Sequence, residues 1–345
     1  MYLDTLFHGA QKFGASDLHL IAGMPPAYRV NGEIILADQD PLDIEELNDM
    51  VGAMINDDQR KKYEREWELC VSIPRGDQGR VRATIYRRNG HPELSFRFCG
   101  SRIPTRAELG LPAKLDDLVR NRNGLILVTG PTGSGKTTTL NYLVDQINHE
   151  RNCKIITIED PIEYSHVNDK SLVVQLEVMT DTHSFNRALV HVLRQDPDVI
   201  VVGELRDYEA IATALAAAET GHLVLATVHA ASAIQTVERI VGVYEGNTQR
   251  QILLQLANTL HGIISQELFA TPGNERRVLA YELLLANAAV RSIIRQNDLA
   301  QLASVMQTSA RDGMVLMDTT VRDLYERGLI SYDMAVSRIR DPDAI

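Results

Sequence analysis

The sequence is poor in cysteine and in aromatic residues. Its 345 residues include one tryptophan and three cysteines, Cys70, Cys99 and Cys153. The cysteines lie far apart and form no CxxC pair, so we expect neither a zinc site nor a disulfide framework. A set of free thiols is typical of a reducing compartment. These shortages favour a cytoplasmic protein that is stabilised by an ordinary hydrophobic core.

Long apolar runs are missing as well. No stretch approaches the roughly 18 consecutive apolar residues of a membrane-spanning helix. The first residues, Met1 to Thr5, lack the basic start and apolar segment of a signal peptide. We therefore expect no membrane span, and contact with a membrane only through a partner. The formal net charge of −11 disfavours broad nucleic-acid binding, because such binding relies on Lys and Arg to neutralise phosphates.

The length and the local patterns predict two domains. Residues 1–100 alternate short helical and strand-like segments, which is typical of a small α+β domain. Residues 101–123 are punctuated by proline and glycine and predict a linker with a hinge. Residues 124–345 form the second domain, and the part of it after about residue 246 has a largely helical pattern.

Periodicity gives a coarse secondary structure for the first domain. The apolar stripe from Leu42 to Tyr63 predicts one helix. Residues 79–86 alternate like a half-buried strand, and Leu94 to Phe98 has the pattern of a returning strand. Asn89-Gly90 lies between the two and predicts a tight hairpin turn.

The second domain contains four short runs that are continuously apolar. Such runs are expected for strands that are buried on both faces of a parallel sheet. Helical segments separate them, and this alternation predicts a doubly wound α/β domain. The four predicted strands are residues 125–128, 154–158, 199–202 and 223–226.

A glycine-rich loop follows the first of these strands and precedes a predicted helix. Its sequence, Gly-Pro-Thr-Gly-Ser-Gly-Lys-Thr, matches the phosphate-binding pattern GxxxxGK[ST]. Glycine lets the backbone N–H groups wrap closely around phosphate oxygens, Lys136 adds a positive charge, and Thr137 offers a hydroxyl to Mg²⁺. The pattern predicts binding of ATP with Mg²⁺. The expected phosphate contacts are Gly130, Pro131, Thr132, Gly133, Ser134, Gly135, Lys136, Thr137 and Thr138.

Hydrolysis requires acids near this loop, and two groups are available. Glu204 follows the strand at 199–202, so we expect it at the carboxyl edge of the sheet, where it can hold hydrated Mg²⁺ and accept a proton from water. Glu159, Asp160 and Glu163 follow the strand at 154–158. We assign Glu163 to orienting the water, whereas capping or structural roles stay open for the other two.

Two histidines bracket the last of the four strands, His222 before it and His229 after it. Either histidine can sense the γ-phosphate or link neighbouring sites, and a purely structural role is the alternative. A metal site is disfavoured because no third ligand is close in sequence.

These elements, in this order, resemble the secretion ATPase superfamily, which includes the motors of type II and type IV secretion and of type IV pili. Residues 130–137 match its Walker A motif, 159–163 its Asp box, 198–204 its Walker B motif and 221–229 its His box. Gly14 to Leu20 looks like the opening of the small domain in these motors. The resemblance implies a RecA-like P-loop NTPase domain with a smaller N-terminal PAS-like α+β domain.

Within the superfamily, the type IV pilus retraction ATPases are most similar, along nearly the whole chain. Residues 203–207, 217–222 and 328–331 look like that branch. Residues 264–281 lack the four-cysteine motif that assembly motors generally carry. The retraction signature AIRNLIRE is matched by residues 289–296 at four of eight positions; Arg291 and Arg295 are kept, whereas Val290, Ser292, Ile293 and Gln296 differ.

The resemblance also implies partners. It predicts a homohexameric ring that is peripheral at the inner membrane and engages a platform protein there, with ATP bound between the two domains. In such rings, arginines of the small domain reach the nucleotide phosphates. Arg82 and Arg97, on the paired predicted strands, are the candidates for this role, and ordinary exposed strand arginines are the alternative.

Three rival functions stay open at this point. One is a motor of a related secretion or conjugation system, which the altered 289–296 segment keeps in play. Another is a nucleotide-gated scaffold with little turnover, and the full set of acids argues against it. A nucleic-acid translocase is the third, which the acidic balance of the chain disfavours.

Overall fold

The computed structural model describes residues 2–76, 79–100, 102–274 and 276–339. The chain forms two compact units. Unit 1 comprises Met1–Arg102, Asp160–Ser165 and Leu176–His183, and unit 2 comprises Ile103–Glu159, His166–Gln175 and Ser184–Ile345. A single boundary near residue 100 therefore does not describe the two units in full, because two later segments also belong to unit 1.

Unit 1 is built on a six-stranded sheet in which neighbouring strands are antiparallel. One face carries the core, with fully buried side chains such as Leu18, Ala83 and Phe96. The strand order is β3-β2-β1-β6-β5-β4. The strands are β1 (Asp17–Leu20), β2 (Ala27–Val30), β3 (Glu33–Leu36), β4 (Glu68–Pro74), β5 (Arg80–Arg88) and β6 (His91–Phe98), and the helices are α1 (Tyr2–Phe13), α2 (Ile44–Met54) and α3 (Asp57–Glu66).

The other face of this sheet carries polar side chains. The cross-strand register places Ser72, Arg82, Arg97 and Asp17 in one row across β4, β5, β6 and β1. The predicted hairpin turn is confirmed: Asn89 and Gly90 both have positive φ, 52° and 85°, as a two-residue type I′ turn requires.

The prediction of one helix over Leu42 to Tyr63 is wrong. The chain forms two helices, because Asn56 caps α3 in a reciprocal arrangement with Gln59. In this capping box the Asn56 side chain accepts from the Gln59 N–H, and the Gln59 side chain accepts from the Asn56 N–H. The apolar stripe continues across the break, which is why periodicity alone did not detect it.

Unit 2 contains a seven-stranded sheet with the order β13-β12-β7-β11-β10-β8-β9. The four predicted strands are confirmed as β7, β8, β10 and β11, which are parallel. The strands are β7 (Gly124–Thr129), β8 (Lys154–Glu159), β9 (Leu172–Glu177), β10 (Val199–Val202), β11 (Leu223–Val228), β12 (Leu260–Ala270) and β13 (Arg277–Leu285).

Eleven helices of four or more residues accompany this sheet in the described part of unit 2. They are α4 (Arg106–Leu109), α5 (Lys114–Val119), α6 (Lys136–Glu150), α7 (Phe185–Val192), α8 (Tyr208–Glu219), α9 (Ala233–Gly242), α10 (Gly246–Thr259), α11 (Ala288–Gln296), α12 (Leu302–Thr308), α13 (Met317–Glu326) and α14 (Tyr332–Val336). Among the described helices, none is both long and apolar enough to cross a bilayer.

Two features of unit 2 differ from the sequence-based description. The part after about residue 246 contains more residues in helices than in strands, but it also includes two strands that were not predicted: β12 pairs with β7, and β13 returns antiparallel to β12. Residues 103–123 of the predicted linker 101–123 are also structured: they contain α4 and α5, and Leu111, Leu115 and Val119 are buried in the core of unit 2. These side chains are ordered by hydrophobic burial, and the linker's proposed role as a hinge stays a prediction.

Candidate functional site

The loop between β7 and α6 has a backbone that only glycine accommodates easily. Gly130 and Gly135 have φ values of 146° and 88°. A Cβ atom on Gly130 would lie 2.3 Å from the carbonyl oxygen of Gln266. The first turn of α6 contains no acidic residue, and its N-cap makes no side-chain hydrogen bond. Its backbone N–H groups are therefore suited to bind an anion.

Lys136 and Ser134 point polar groups into this loop. The Lys136 ammonium donates to the carbonyl oxygens of Gly130 and Pro131, at 3.0 and 2.8 Å. Burial lowers the pKa of Lys136, and the nearby Glu204 carboxylate acts in the opposite direction. The Ser134 hydroxyl is buried and has no hydrogen-bond partner among the described residues. The donors that a phosphate needs are thus already assembled.

Glu204 and His229 lie next to this loop. Each follows a strand of the parallel sheet, β10 for Glu204 and β11 for His229, so both lie at its carboxyl edge. The His229 Nε2 is 3.2 Å from a Glu204 carboxylate oxygen, and its Nδ1 is 3.5 Å from the Lys136 ammonium. With the proton on Nε2, His229 accepts from Lys136 and donates to Glu204. The ring thereby links the loop lysine to the strand-end acid.

Sequence reasoning missed one member of this group. The Arg206 guanidinium lies 2.8 Å from the second carboxylate oxygen of Glu204. Its position two residues after the strand-end acid was the available signal. Arg206 is largely exposed, so its partner can change readily when a phosphate or another chain approaches.

His222 lies at the opposite edge of the sheet from His229. It precedes β11, and its Nδ1 is 3.0 Å from the carbonyl oxygen of Ala217 at the end of α8. The six residues of β11 separate the two histidines by roughly 20 Å, at about 3.3 Å per residue. Sensing of the γ-phosphate by His222 within one chain is therefore contradicted, and the alternative of linking neighbouring sites stays a prediction.

The acids at the end of β8 and just after it divide between the two units. Glu159 is buried in unit 2 and accepts hydrogen bonds from Thr157 and Gln175, at 2.7 and 3.0 Å. These contacts agree with the structural role that was left open for it. Asp160 and Glu163 belong to unit 1. The joint role of Glu163 with Glu204 therefore stays a prediction.

Glu163 lies beside Arg82 within unit 1. The Arg82 guanidinium is 3.8 Å from the Glu163 carboxylate and donates to the Cys70 sulfur at 3.1 Å. Burial raises the pKa of Glu163, and the positive charges of Arg82 and Arg97 act to lower it. Arg97 itself pairs with Asp17 at 2.9 Å. Both candidate interface arginines therefore act electrostatically on Glu163.

The two arginines of the 289–296 segment have different surroundings. Arg291 donates to the carbonyl oxygens of Ala257 and Asn258, at 2.6 and 2.7 Å, and so caps the end of α10. Arg295 is exposed on α11. Arg291 therefore holds the end of α10, whereas Arg295 presents its charge to solvent; the output role of both arginines stays a prediction.

Thr137 and Glu204 are the predicted ligands of Mg²⁺. Thr137 lies in the first turn of α6 and Glu204 lies beyond β10, and both supply the oxygen ligands that Mg²⁺ prefers. The sequence pattern of the glycine loop, which includes the buried Ser134 hydroxyl, is typical of sites that bind a nucleotide together with this ion.

Comparison with known proteins gives consistent results. A family model described as type II/IV secretion system protein matches residues 108–326. The chain is 39% identical over 343 residues to the type IV pilus retraction ATPase PilT of Pseudomonas aeruginosa, covering 99% of each chain. It is 40% identical over 325 residues to a twitching motility protein of Neisseria gonorrhoeae, covering 94% of this chain and 87% of the relative.

The fold is similar to a solved structure as well. The crystal structure of the pilus retraction motor PilT with bound ADP is 44% identical and superposes with a TM-score of 0.90. The match covers 99% of this chain and 97% of the other.

Proposed function

The chain belongs to the family of type II/IV secretion system proteins, and from this premise we propose that it is an ATP-hydrolysing motor that powers retraction of type IV pili. The observation that carries the proposal is the connection of Lys136, His229 and Glu204 at the mouth of a glycine loop. This group has the donors for phosphate and an acid for water activation. The names of the relatives in Pseudomonas and Neisseria supply the retraction and twitching part.

The roles of the residues follow from their chemistry. The loop 130–138 binds the phosphates, and Lys136 neutralises charge on the β- and γ-phosphates. Thr137 and Glu204 hold Mg²⁺, which supplies further charge neutralisation when bound. Glu204 accepts the proton of the attacking water, and Glu163 orients that water. His229 senses the change of charge, because it contacts both Lys136 and Glu204.

The assembly and the output extend the same proposal. The chain acts as a homohexamer whose arginines Arg82 and Arg97 reach nucleotide phosphates. The segment 101–123 bends as ATP is bound and released. The ring works in the cytoplasm, at the inner membrane, on a platform protein of the pilus. Arg291 and the exposed Arg295 on α11 are the candidates for contact with that machinery.

A purified-protein assay tests the enzymatic half of the proposal. We expect steady release of phosphate from ATP in the presence of Mg²⁺, with loss of turnover after EDTA and recovery after Mg²⁺ is restored, because the single positive charge of Lys136 cannot neutralise the phosphates without the ion. Added DNA should not stimulate the rate. A near-zero rate with full nucleotide binding would instead favour a nucleotide-gated scaffold, and strong stimulation by DNA would favour a translocase.

A motor of a related secretion or conjugation system is the second candidate. The family description names secretion, and the 289–296 segment departs from the retraction signature at Val290, Ser292, Ile293 and Gln296. Loss of export alone in a deletion strain, with normal twitching, would support this candidate.

A further inference from the structure

The turn that carries Glu163 is held through its neighbour Ile162. The Ile162 N–H donates to a carboxylate oxygen of Glu177 at 3.1 Å. The Ile162 carbonyl oxygen accepts from the Ser72 hydroxyl at 2.6 Å. Both backbone polar groups of the residue before Glu163 are therefore bound by side chains of unit 1.

The two residues that hold Ile162 are themselves joined by Arg80. The Arg80 Nε donates to the Ser72 hydroxyl at 2.7 Å, and its Nη2 lies 3.4 Å from Glu177. The Glu177 carboxylate also accepts from the Thr180 hydroxyl at 3.1 Å. Ser72, Arg80 and Glu177 thus form one connected group, which we call the Ile162 clamp.

The clamp contains a buried charge. Glu177 is only 3% exposed and the Arg80 side chain 15%. Burial of a carboxylate is unfavourable unless its oxygens are paired, and here two of the partners are a backbone N–H of the turn and a guanidinium. The position of the turn therefore depends on hydrogen bonds, which are directional. Apolar contacts are not directional and would fix the turn less closely.

The clamp lies next to the groups that Glu163 faces. Ser72 of β4 is the register partner of Arg82 on β5, and Arg82 is the residue whose guanidinium lies 3.8 Å from Glu163. Ser72 therefore fixes the backbone of the turn, and its neighbour Arg82 contacts the Glu163 carboxylate that the turn carries. The pairing of β4 with β5 sets the positions of both side chains.

We propose that Ser72, Arg80 and Glu177 are positioning residues for ATP hydrolysis, which fix the backbone of Ile162 and thereby keep the Glu163 carboxylate beside Arg82. This inference rests on the proposed function, in which Glu163 orients the attacking water. None of the three residues is assigned to touch nucleotide. Their effect is on the placement of Glu163, and a displacement of about 1 Å can lower a rate by about 10²-fold.

Ser72→Ala is the sharpest test, because it removes the hydroxyl that holds Ile162 and makes only a small change on a strand at the sheet edge. We expect kcat for ATP to fall about 10-fold with KM and nucleotide affinity unchanged, since only the placement of Glu163 is disturbed. Ser72→Thr, which keeps a hydroxyl, should stay within about 2-fold of the native kcat. Thermal unfolding of each variant checks that the fold is kept.

A double-mutant cycle with Glu163→Gln separates positioning from general destabilisation. If the clamp acts through Glu163, Ser72→Ala should cause no further loss in the Glu163→Gln background, measured by single-turnover phosphate release. A full 10-fold loss in that background would overturn the proposal, because Ser72 would then act elsewhere. The proposal would also be overturned if Ser72→Ala kept the native kcat while Glu163→Gln was strongly impaired. The role of Glu163 would then stand without the clamp.

Native turnover in Glu163→Gln would contradict the proposed role of Glu163. This outcome can be distinguished from a failure of the clamp proposal, in which Glu163→Gln is impaired and Ser72→Ala is not. Should Ser72→Ala lower the yield of folded protein, Glu177→Gln gives the same test. Its neutral amide oxygen keeps the shape but is a weaker acceptor for the Ile162 N–H. The same selective loss of kcat is expected, and native kcat would overturn the proposal.

Discussion

Replacing Glu204 with glutamine is expected to lower ATP turnover by about 10²- to 10⁴-fold, the usual contribution of a general base. The amide keeps the size of the side chain and can still contact His229 and Arg206, which lie 3.2 and 2.8 Å from the carboxylate. It cannot accept a proton from water. ATP affinity should change little, because the loop that binds the phosphates is untouched.

The measurement is phosphate release under saturating ATP, paired with a fluorescence titration of a labelled nucleotide. Glu238→Gln is the matched control, since Glu238 is an exposed acid of α9 in the same unit. We expect native turnover in that control. Turnover in Glu204→Gln within about 2-fold of native would remove Glu204 from the mechanism and leave the base to be found elsewhere.

Replacing Lys136 with alanine should have the second large effect, on binding as well as on turnover. The Lys136 ammonium is the charged donor of the loop, at 3.0 and 2.8 Å from two of its carbonyl oxygens. Its loss removes a contact to the developing phosphate charge, for which about 10²- to 10³-fold in kcat is typical. Nucleotide affinity should fall as well, because the same contact exists in the ground state.

Lys170→Ala is a suitable control, because Lys170 is an exposed lysine of unit 2. It should bind and hydrolyse ATP normally. Native affinity in Lys136→Ala would mean that the glycine loop does not bind the phosphates. A native rate with weaker binding would confine Lys136 to ground-state binding.

Local sequence signals predicted the parallel sheet and the glycine loop well. The four apolar runs became β7, β8, β10 and β11, because a strand that is buried on both faces needs apolar residues at every position. Asn89-Gly90 became the hairpin turn since both residues tolerate positive φ. In each case the information lies within a few adjacent residues.

Other features depend on contacts between distant parts of the chain. Glu163 follows β8 closely in sequence, yet it belongs to unit 1, where Ser72 and Glu177 hold its turn. Periodicity carries no information about such partners. His222 and His229 look equivalent in the sequence because each is next to β11. They lie at opposite ends of this strand, so only His229 is beside the glycine loop.

The strand β12 illustrates a third limit. Its sequence, LHGIISQELFA, interrupts the apolar residues with polar ones, so its pattern favours neither a helix nor a strand clearly. The choice is made by pairing with β7 on one side and β13 on the other. The break before α3 is different, because its capping box, Asn56 with Gln59, is a local signal that was available in the sequence.

The most direct test of a retraction motor is the twitching of a strain that lacks this gene and carries either the native gene or the Glu204→Gln variant. The account predicts that the deletion strain keeps its surface pili but does not twitch. The native gene should restore twitching, and the variant, expressed at the same level, should not. Restored twitching with Glu204→Gln, or a deletion strain that twitches normally, would contradict the account.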